Sequence, residues 1–294
     1  MIIICLVIFI LLCFLLYKYL CAKLLNTIFL KSDKYHINKS KYDGWISTSN
    51  VSNVYIKSFD GLQLSACKIE NNSTDKYVIL VHGVNANNKT LYPQARIFDK
   101  LGYNTLLIDQ RTCGLSQGKY YTYGYYESLD LLKWIDYLIS INPNISICLY
   151  GVSMGAATVL QTLGLKLPSN VKCSIDDCGY SSLEEELNYY LNYYYNIKFT
   201  KPLLYIIEKI MIKNFGFCFD DCNQKLALHK NDKPLLIIHS KIDDVVPFEM
   251  ADKIYNSTNA IKVLYVVNDI SHGRNYSDDN FEFNVNNFLK QYFV

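Results

Sequence analysis

The chain predicts a doubly wound α/β domain, and three observations carry that prediction. First, short runs are apolar at successive positions and bounded by turn residues: Tyr77–Val81, Thr105–Ile108, Ile145–Tyr150, Val171–Ile175, Leu235–Ile238 and Val263–Val267. Strands covered on both faces read this way. Second, helix-like stretches separate them, near residues 90–101, 125–141, 154–165, 247–256 and 278–291. Strand–helix alternation builds a mostly parallel sheet. Third, two segments of period-2 alternation flank Asp60-Gly61, VSNVYIKS before it and LQLSACKI after it, which predicts an antiparallel hairpin at the start of the domain.

The elements follow in order. Residues 1–25 form an apolar head, 26–50 a polar connector, and 51–294 the domain. Residues 2–17 carry no charge, Lys18 is the first, and Tyr19–Ala22 resumes the apolar run. With Lys18 snorkelling, a helix here reaches bilayer thickness, which predicts a single transmembrane anchor. A cleaved signal peptide needs a basic start and an A-x-A-like site, and the run has neither. Lys18, Lys23, Lys31, Lys34, Lys39 and Lys41 all follow the head, so the positive-inside rule places the domain on the cytoplasmic side. Of 10 cysteines, Cys5, Cys13 and Cys21 lie in the head. The odd remainder, with Cys67, Cys148 and Cys173 in strand-like runs, reads as reduced thiols filling core. Cys218 and Cys222 lack the second Cys/His pair that a zinc site requires. Residues 181–231 contain no strand run but hold aromatic, helix-like sequence, including Tyr189, Tyr190, Tyr193, Tyr194 and Tyr195. Inserted between two strands, they predict a helical cap. Its tyrosines read either as a cover over a pocket or as packing between cap helices.

Composition excludes other classes. Among 294 residues, 29 basic against 27 acidic side chains leave a net charge of +2, too little for an electropositive nucleic-acid reader. With 50% hydrophobic and 19% charged residues, general disorder is excluded as well.

The chemistry centres on Gly151-Val152-Ser153-Met154-Gly155, which follows the run ISICLY and opens AATVLQTLG. A G-x-S-x-G between strand and helix is a nucleophile elbow, whose turn is too tight for side chains at its flanks. Serine needs a base. His272, in Asp269-Ile-Ser-His-Gly273, follows the last strand and is the histidine placed to swing over the sheet's C-terminal edge. His36 lies in the connector, His82 reads as a turn residue, His229 ends the cap, and His239 reads as structural. The base needs an acid to fix its tautomer. Asp243, in HSKIDDVVP, is the choice, Asp244 its solvated neighbour, and Asp177 the fallback. The oxyanion donors are the backbone N–H groups of Met154 and Val84. No metal or organic cofactor is called for.

Four blocks, LVHGVNAN at 80–87, IDQRTCGLSQG at 108–118, YGVSMGAAT at 150–158 and LIIHSKIDDVVP at 236–247, are closed by Ser271-His272-Gly273. Together they resemble the α/β-hydrolases, and specifically the membrane-anchored serine hydrolases with an N-terminal helix. The resemblance spans about residues 50–294. Asp109-x-Arg111-x-x-Gly114-x-Ser116 is similar to the D-x-R-G-x-G-x-S segment of that group, with Thr112 and Cys113 in place of Gly-x. Ser240 stands where the family commonly has Gly. Arg111 reads as an ion-pair or turn residue. The resemblance implies an acyl-serine mechanism on esters, thioesters or amides, through Ser153, Asp243 and His272. The expected partner is a small or lipid-like ester, with the membrane held through the N-terminal helix and no nucleic acid. The alternatives are a peptidase or acyltransferase on the same triad, or a catalytically idle binding module.

Overall fold

The computed structural model describes residues 2–30 and 41–294. In chain order, α1 (Ile2–Phe29) and α2 (Asp43–Thr48) precede the hairpin β1 (Val51–Lys57) and β2 (Gln63–Ile69). The alternating body follows as β3 (Lys76–Val81), α3 (Tyr92–Lys100), β4 (Asn104–Asp109), α4 (Tyr125–Ile141), β5 (Ser146–Val152), α5 (Met154–Leu163) and β6 (Val171–Asp177). The cap contributes α6 (Leu183–Tyr195), α7 (Lys201–Phe215) and α8 (Gln224–Leu228). The chain returns through β7 (Leu235–Ser240), α9 (Glu249–Asn256), β8 (Lys262–Val267) and α10 (Phe281–Tyr292).

One 8-stranded sheet runs in the order β1-β2-β4-β3-β5-β6-β7-β8. The hairpin pairs antiparallel, with Lys57 opposite Gln63, and β2 pairs antiparallel with β4. All the later pairings are parallel. Register places the strand ends side by side: Val81 beside Gly151, Val152 beside Asp177, and Ser240 beside Val267. The loops leaving β3, β5, β7 and β8 therefore meet along one sheet edge, where open α/β sheets bind their ligands.

The continuous apolar runs have a direct explanation in the two faces of the sheet. Cys148 and Tyr150 of β5 point to one face, against Phe98 of α3 and Phe281, Val285 and Leu289 of α10. Ile147 and Leu149 point to the other, against Leu131, Trp134 and Ile135 of α4. With both sides covered, the period-2 pleat of a central strand such as β5 buries nearly every residue, so no polar alternation survives, whereas the last strand, β8, leaves Val263 exposed. Truncating one of these large buried side chains, such as Trp134, costs about 3–5 kcal/mol.

The N-terminal region departs from the expected membrane-spanning anchor. Among the described residues no helix is long and apolar enough to cross a membrane. Instead, the last turns of α1 dock onto the domain. Phe29 is fully buried in a cluster with Leu183, Leu204, Ile207 and Met211 of the cap, and Leu24, Leu25 and Ile28 pack against it. Tyr123 donates its hydroxyl to the Ile28 carbonyl at 2.5 Å, and the Tyr121 N–H donates to the Phe29 carbonyl at 2.8 Å. This end of the helix buries its apolar side chains against protein.

Candidate active site

The site is built where β5 turns into α5. Ser153 sits in that turn at φ 56°, ψ −121°, a conformation that stores strain in a residue with a side chain. The flanking glycines are sterically required. A Cβ on Gly151 would lie 2.2 Å from the Gly155 carbonyl oxygen, and a Cβ on Gly155 would lie 2.1 Å from that of Val81. The Ser153 N–H donates to the Asp177 carbonyl at 2.9 Å, which anchors the elbow to β6.

The structure brings Ser153, His272 and Asp243 together. His272 Nε2 lies 2.8 Å from Ser153 Oγ, and Nδ1 lies 2.7 Å from Asp243 Oδ2. Asp243 is itself held, since Oδ1 accepts from the N–H groups of Val245 (3.0 Å) and Val246 (2.9 Å). A carboxylate is acceptor-only, so Nδ1 carries the imidazole proton and Nε2 is free to accept from the serine. This arrangement can raise the nucleophilicity of Ser153 and return the proton to a leaving group.

Of the expected oxyanion donors, Met154 directly follows Ser153 and Val84 lines the same cavity as Ser153. Met154 contributes the first N–H of α5, at the positive end of the helix. Val84 lies in the loop after β3, and that loop presses on the nucleophile: a Cβ on Gly83 would come within 3.3 Å of Ser153 Cβ. Beyond β3 the loop enters a 3-10 turn, Asn88–Leu91. Asp109 at the end of β4 fastens it by accepting from the Asn88 N–H (2.8 Å), Asn88 Nδ2 (3.2 Å) and the Leu115 N–H (3.0 Å).

Of the remaining candidates, the structure places His82 against the sequence expectation and His239 in line with it. His82 is not a turn residue but is fully buried, with Nδ1 2.7 Å from the Gly83 carbonyl and Nε2 accepting from the Gln110 N–H at 3.1 Å. Burial lowers its pKa to about 4, so it bridges two loops as neutral imidazole. His239 sits 2.8 Å from the Val246 carbonyl through Nε2, the same atom lying 3.6 Å from Asp243, and it braces the acid loop. The fallback acid Asp177 does not reach His272. It accepts from the Tyr150 hydroxyl and, at 2.7 Å, from Asn275 Nδ2. Burial pushes its carboxyl up to about 6. Asn275 lies outside every quoted motif, and Gln110 fills the unspecified position between Asp109 and Arg111; their partners lie 98 and 28 residues away.

Arg111 makes a two-pronged contact with Asp130, from Nε at 2.7 Å and Nη2 at 2.9 Å, and reaches Asp60 in the hairpin turn at 3.1 Å. Thr112, in the family's glycine position, takes φ 72°. The turn therefore keeps a left-handed residue even without glycine.

Among the described residues, Cys178 Sγ, Asp243 and His272 form a group whose donor atoms lie within 4.8 Å of one another. Both ring nitrogens of His272 are already engaged, and burial holds the Cys178 thiol protonated, so this donor set does not suit a metal ion. The cap tyrosines stack on one another, Tyr189 on Tyr193 at 5.3 Å. Tyr189 and Tyr193 line a separate cavity of about 530 Å³ between α6 and α9. Tyr189 and Tyr194 also donate to the Asp244 carbonyl at 3.2 Å each, which ties the cap to the acid loop. Beside Ser153 and His272 lies a cavity of about 660 Å³, within the range of small-molecule sites.

Residues 72–176 match the Hydrolase_4 family, described as serine aminopeptidase, S33. The chain is 30% identical over 223 residues to the uncharacterized protein YqkD of Bacillus subtilis (strain 168), covering 76% of this chain and 73% of that protein. It is 27% identical over 217 residues to the uncharacterized protein R595 of Acanthamoeba polyphaga mimivirus, covering 70% of this chain and 69% of that one. The solved structure of the esterase Pf2001 from Pyrococcus furiosus superposes with a TM-score of 0.71 at 24% identity, over 90% of this chain and 100% of that one. This last likeness is one of fold.

Proposed function

The chain belongs to the α/β-hydrolases, in the family of Bacillus subtilis YqkD, and from that premise we propose that it is a serine hydrolase of carboxylic esters. The single observation that carries the reading is the continuous relay from Ser153 Oγ through His272 to Asp243, with steps of 2.8 and 2.7 Å, at a strained elbow beside an open cavity. Ser153 Oγ bonds to the ester carbonyl carbon while His272 takes its proton. The C–O bond to the alcohol breaks, and His272 returns the proton to the departing oxygen. Water, deprotonated by His272, then hydrolyses the acyl-serine and releases the acid. The N–H groups of Met154 and Val84 stabilise the oxyanion in both halves.

The test is labelling with a fluorophosphonate probe. The wild-type chain is expected to label and Ser153→Ala to remain unlabelled; equal labelling removes Ser153 from the mechanism. A second reading, an aminopeptidase, is favoured by the description of the matching family. Aminoacyl p-nitroanilides assayed beside p-nitrophenyl esters separate the two.

Attachment to a membrane through α1 is part of the proposal. The uncharged run of residues 2–17 and the exposed side chains of Ile8, Phe9, Leu12, Leu15 and Leu16 support it, because exposed apolar surface of this kind marks a lipid or protein contact. The lysines that follow the run support a cytoplasm-facing domain. An impermeant thiol reagent applied to intact cells is expected to spare Cys218, and labelling of Cys218 would reverse the orientation.

A further inference from the structure

The cavity beside Ser153 has a charge that the hydrolase reading does not use. Lys89, in the 3-10 turn after the Val84 loop, and Arg274, two residues beyond His272, both line it, together with Tyr42 and Tyr276. Among the described residues, no Asp or Glu lines the cavity, and neither cation is in an ion pair. Nearby carboxylates are otherwise engaged: Asp109 beneath the turn accepts backbone and amide N–H groups, and Asp243 accepts from His272 and its own loop. The two cations come from separate loops, one carrying the expected oxyanion donor and the other the base, and both line the cavity. A concave site lined by cations, and among the described residues by no carboxylate, concentrates ligands of the opposite sign.

We propose that this site takes an ester bearing an anionic group, a carboxylate or a phosphate monoester, held by Lys89 and Arg274 while Ser153 attacks the carbonyl. The inference rests on the serine-hydrolase reading and gives it a substrate class. Arg274 supplies a planar fork suited to carboxylate and phosphate oxygens, and Lys89 a compact charge. The reaction balances as above: one ester bond breaks, one water is consumed, and the anionic group leaves unchanged on the acid or alcohol product.

The experiment uses the full chain and matched ester pairs. On the acyl side, mono-p-nitrophenyl glutarate is compared with p-nitrophenyl butyrate. On the alcohol side, 4-acetoxybenzoate and 4-acetoxyphenyl phosphate are compared with phenyl acetate. At least one anionic ester is expected to show kcat/KM about tenfold or more above its neutral partner, with the preference shrinking as salt is raised. The arm that responds identifies where the charge sits and whether it is carboxylate or phosphate. In Lys89→Gln/Arg274→Gln the anionic-to-neutral ratio is expected to fall toward one, and in Lys89→Glu/Arg274→Glu to fall below it. The proposal is overturned if the neutral ester is preferred or equalled in every pair, or if the ratio survives the double variant. If the variants fail to fold, the salt dependence of the wild-type ratio decides, and a salt-independent preference overturns the proposal. Failure of the hydrolase reading is distinct: the wild type then neither labels with fluorophosphonate nor turns over any ester.

Discussion

Asn275 donates from Nδ2 to Asp177 Oδ1 at 2.7 Å, which ties the loop bearing His272 to the end of β6. Both residues are fully buried, so the contact acts as a peg beneath the base. Replacing Asn275 with Ala leaves a buried carboxyl short of a partner, at a cost of about 1–3 kcal/mol. It should also let His272 drift from the elbow. The expected result is a fall in kcat/KM of about tenfold or more, since ångström-scale misplacement of a catalytic group costs up to about a hundredfold. Ester turnover and a urea titration on the same variant check both effects, and an unchanged rate would detach Asn275 from positioning.

Asp243, in the loop after β7, and Asp177, at the end of β6, make different predictions although both lie at the same sheet edge. Asp243→Asn removes the acceptor that fixes the His272 tautomer, and turnover should drop by about 10⁴. Asp177→Asn retains a hydrogen-bonding side chain facing Tyr150 and Asn275, and should lose far less. Steady-state kinetics of the two variants, side by side, decide which carboxylate serves the base.

Asp176 offers a pH test. It is fully buried, Oδ1 accepts from the Gly179 N–H at 2.9 Å, and Oδ2 has no partner among the described residues. Burial raises its pKa from 3.8 to about 7. A carboxyl whose folded pKa exceeds its unfolded one holds more protons in the folded state between those values. Its contribution to stability is therefore fully present below about pH 4 and declines as pH rises toward 7. Asp176→Asn does not titrate, so its stability relative to wild type should climb across that window, by about 3 kcal/mol at the upper end. Urea midpoints at pH 5 and pH 8 measure the difference; a gap independent of pH contradicts the assignment.

Thr112 carries φ 72°, a region where a β-branched residue pays about 1–2 kcal/mol. Thr112→Gly relieves that strain and adds back unfolded-chain entropy. The Thr112 side chain is itself buried, so its loss offsets part of the relief, and the net expectation is a change of at most about 1 kcal/mol in unfolding free energy with the ester rate unaltered, read from thermal melts.

Much of this was legible in the chain alone. Apolar runs buried on both faces and a G-x-S-x-G between strand and helix are local properties, set by pleat, helix period and the absence of Cβ atoms at Gly151 and Gly155. The sequence alone thus determined the α/β class, the elbow and the set of candidate partners, with Ser153, Asp243 and His272 in chain order. Tertiary structure alone decided what depends on approach between distant segments. It placed His272 119 residues away within 2.8 Å of Ser153 Oγ, and turned Asp177 toward Asn275 instead of the base. It also buried His82 between two loops, and folded Phe29 at the end of an apolar helix against the cap. Hydrogen bonds and burial between remote residues leave no periodicity in a sequence, because their partners are chosen by the packing of the sheet and not by neighbours along the chain.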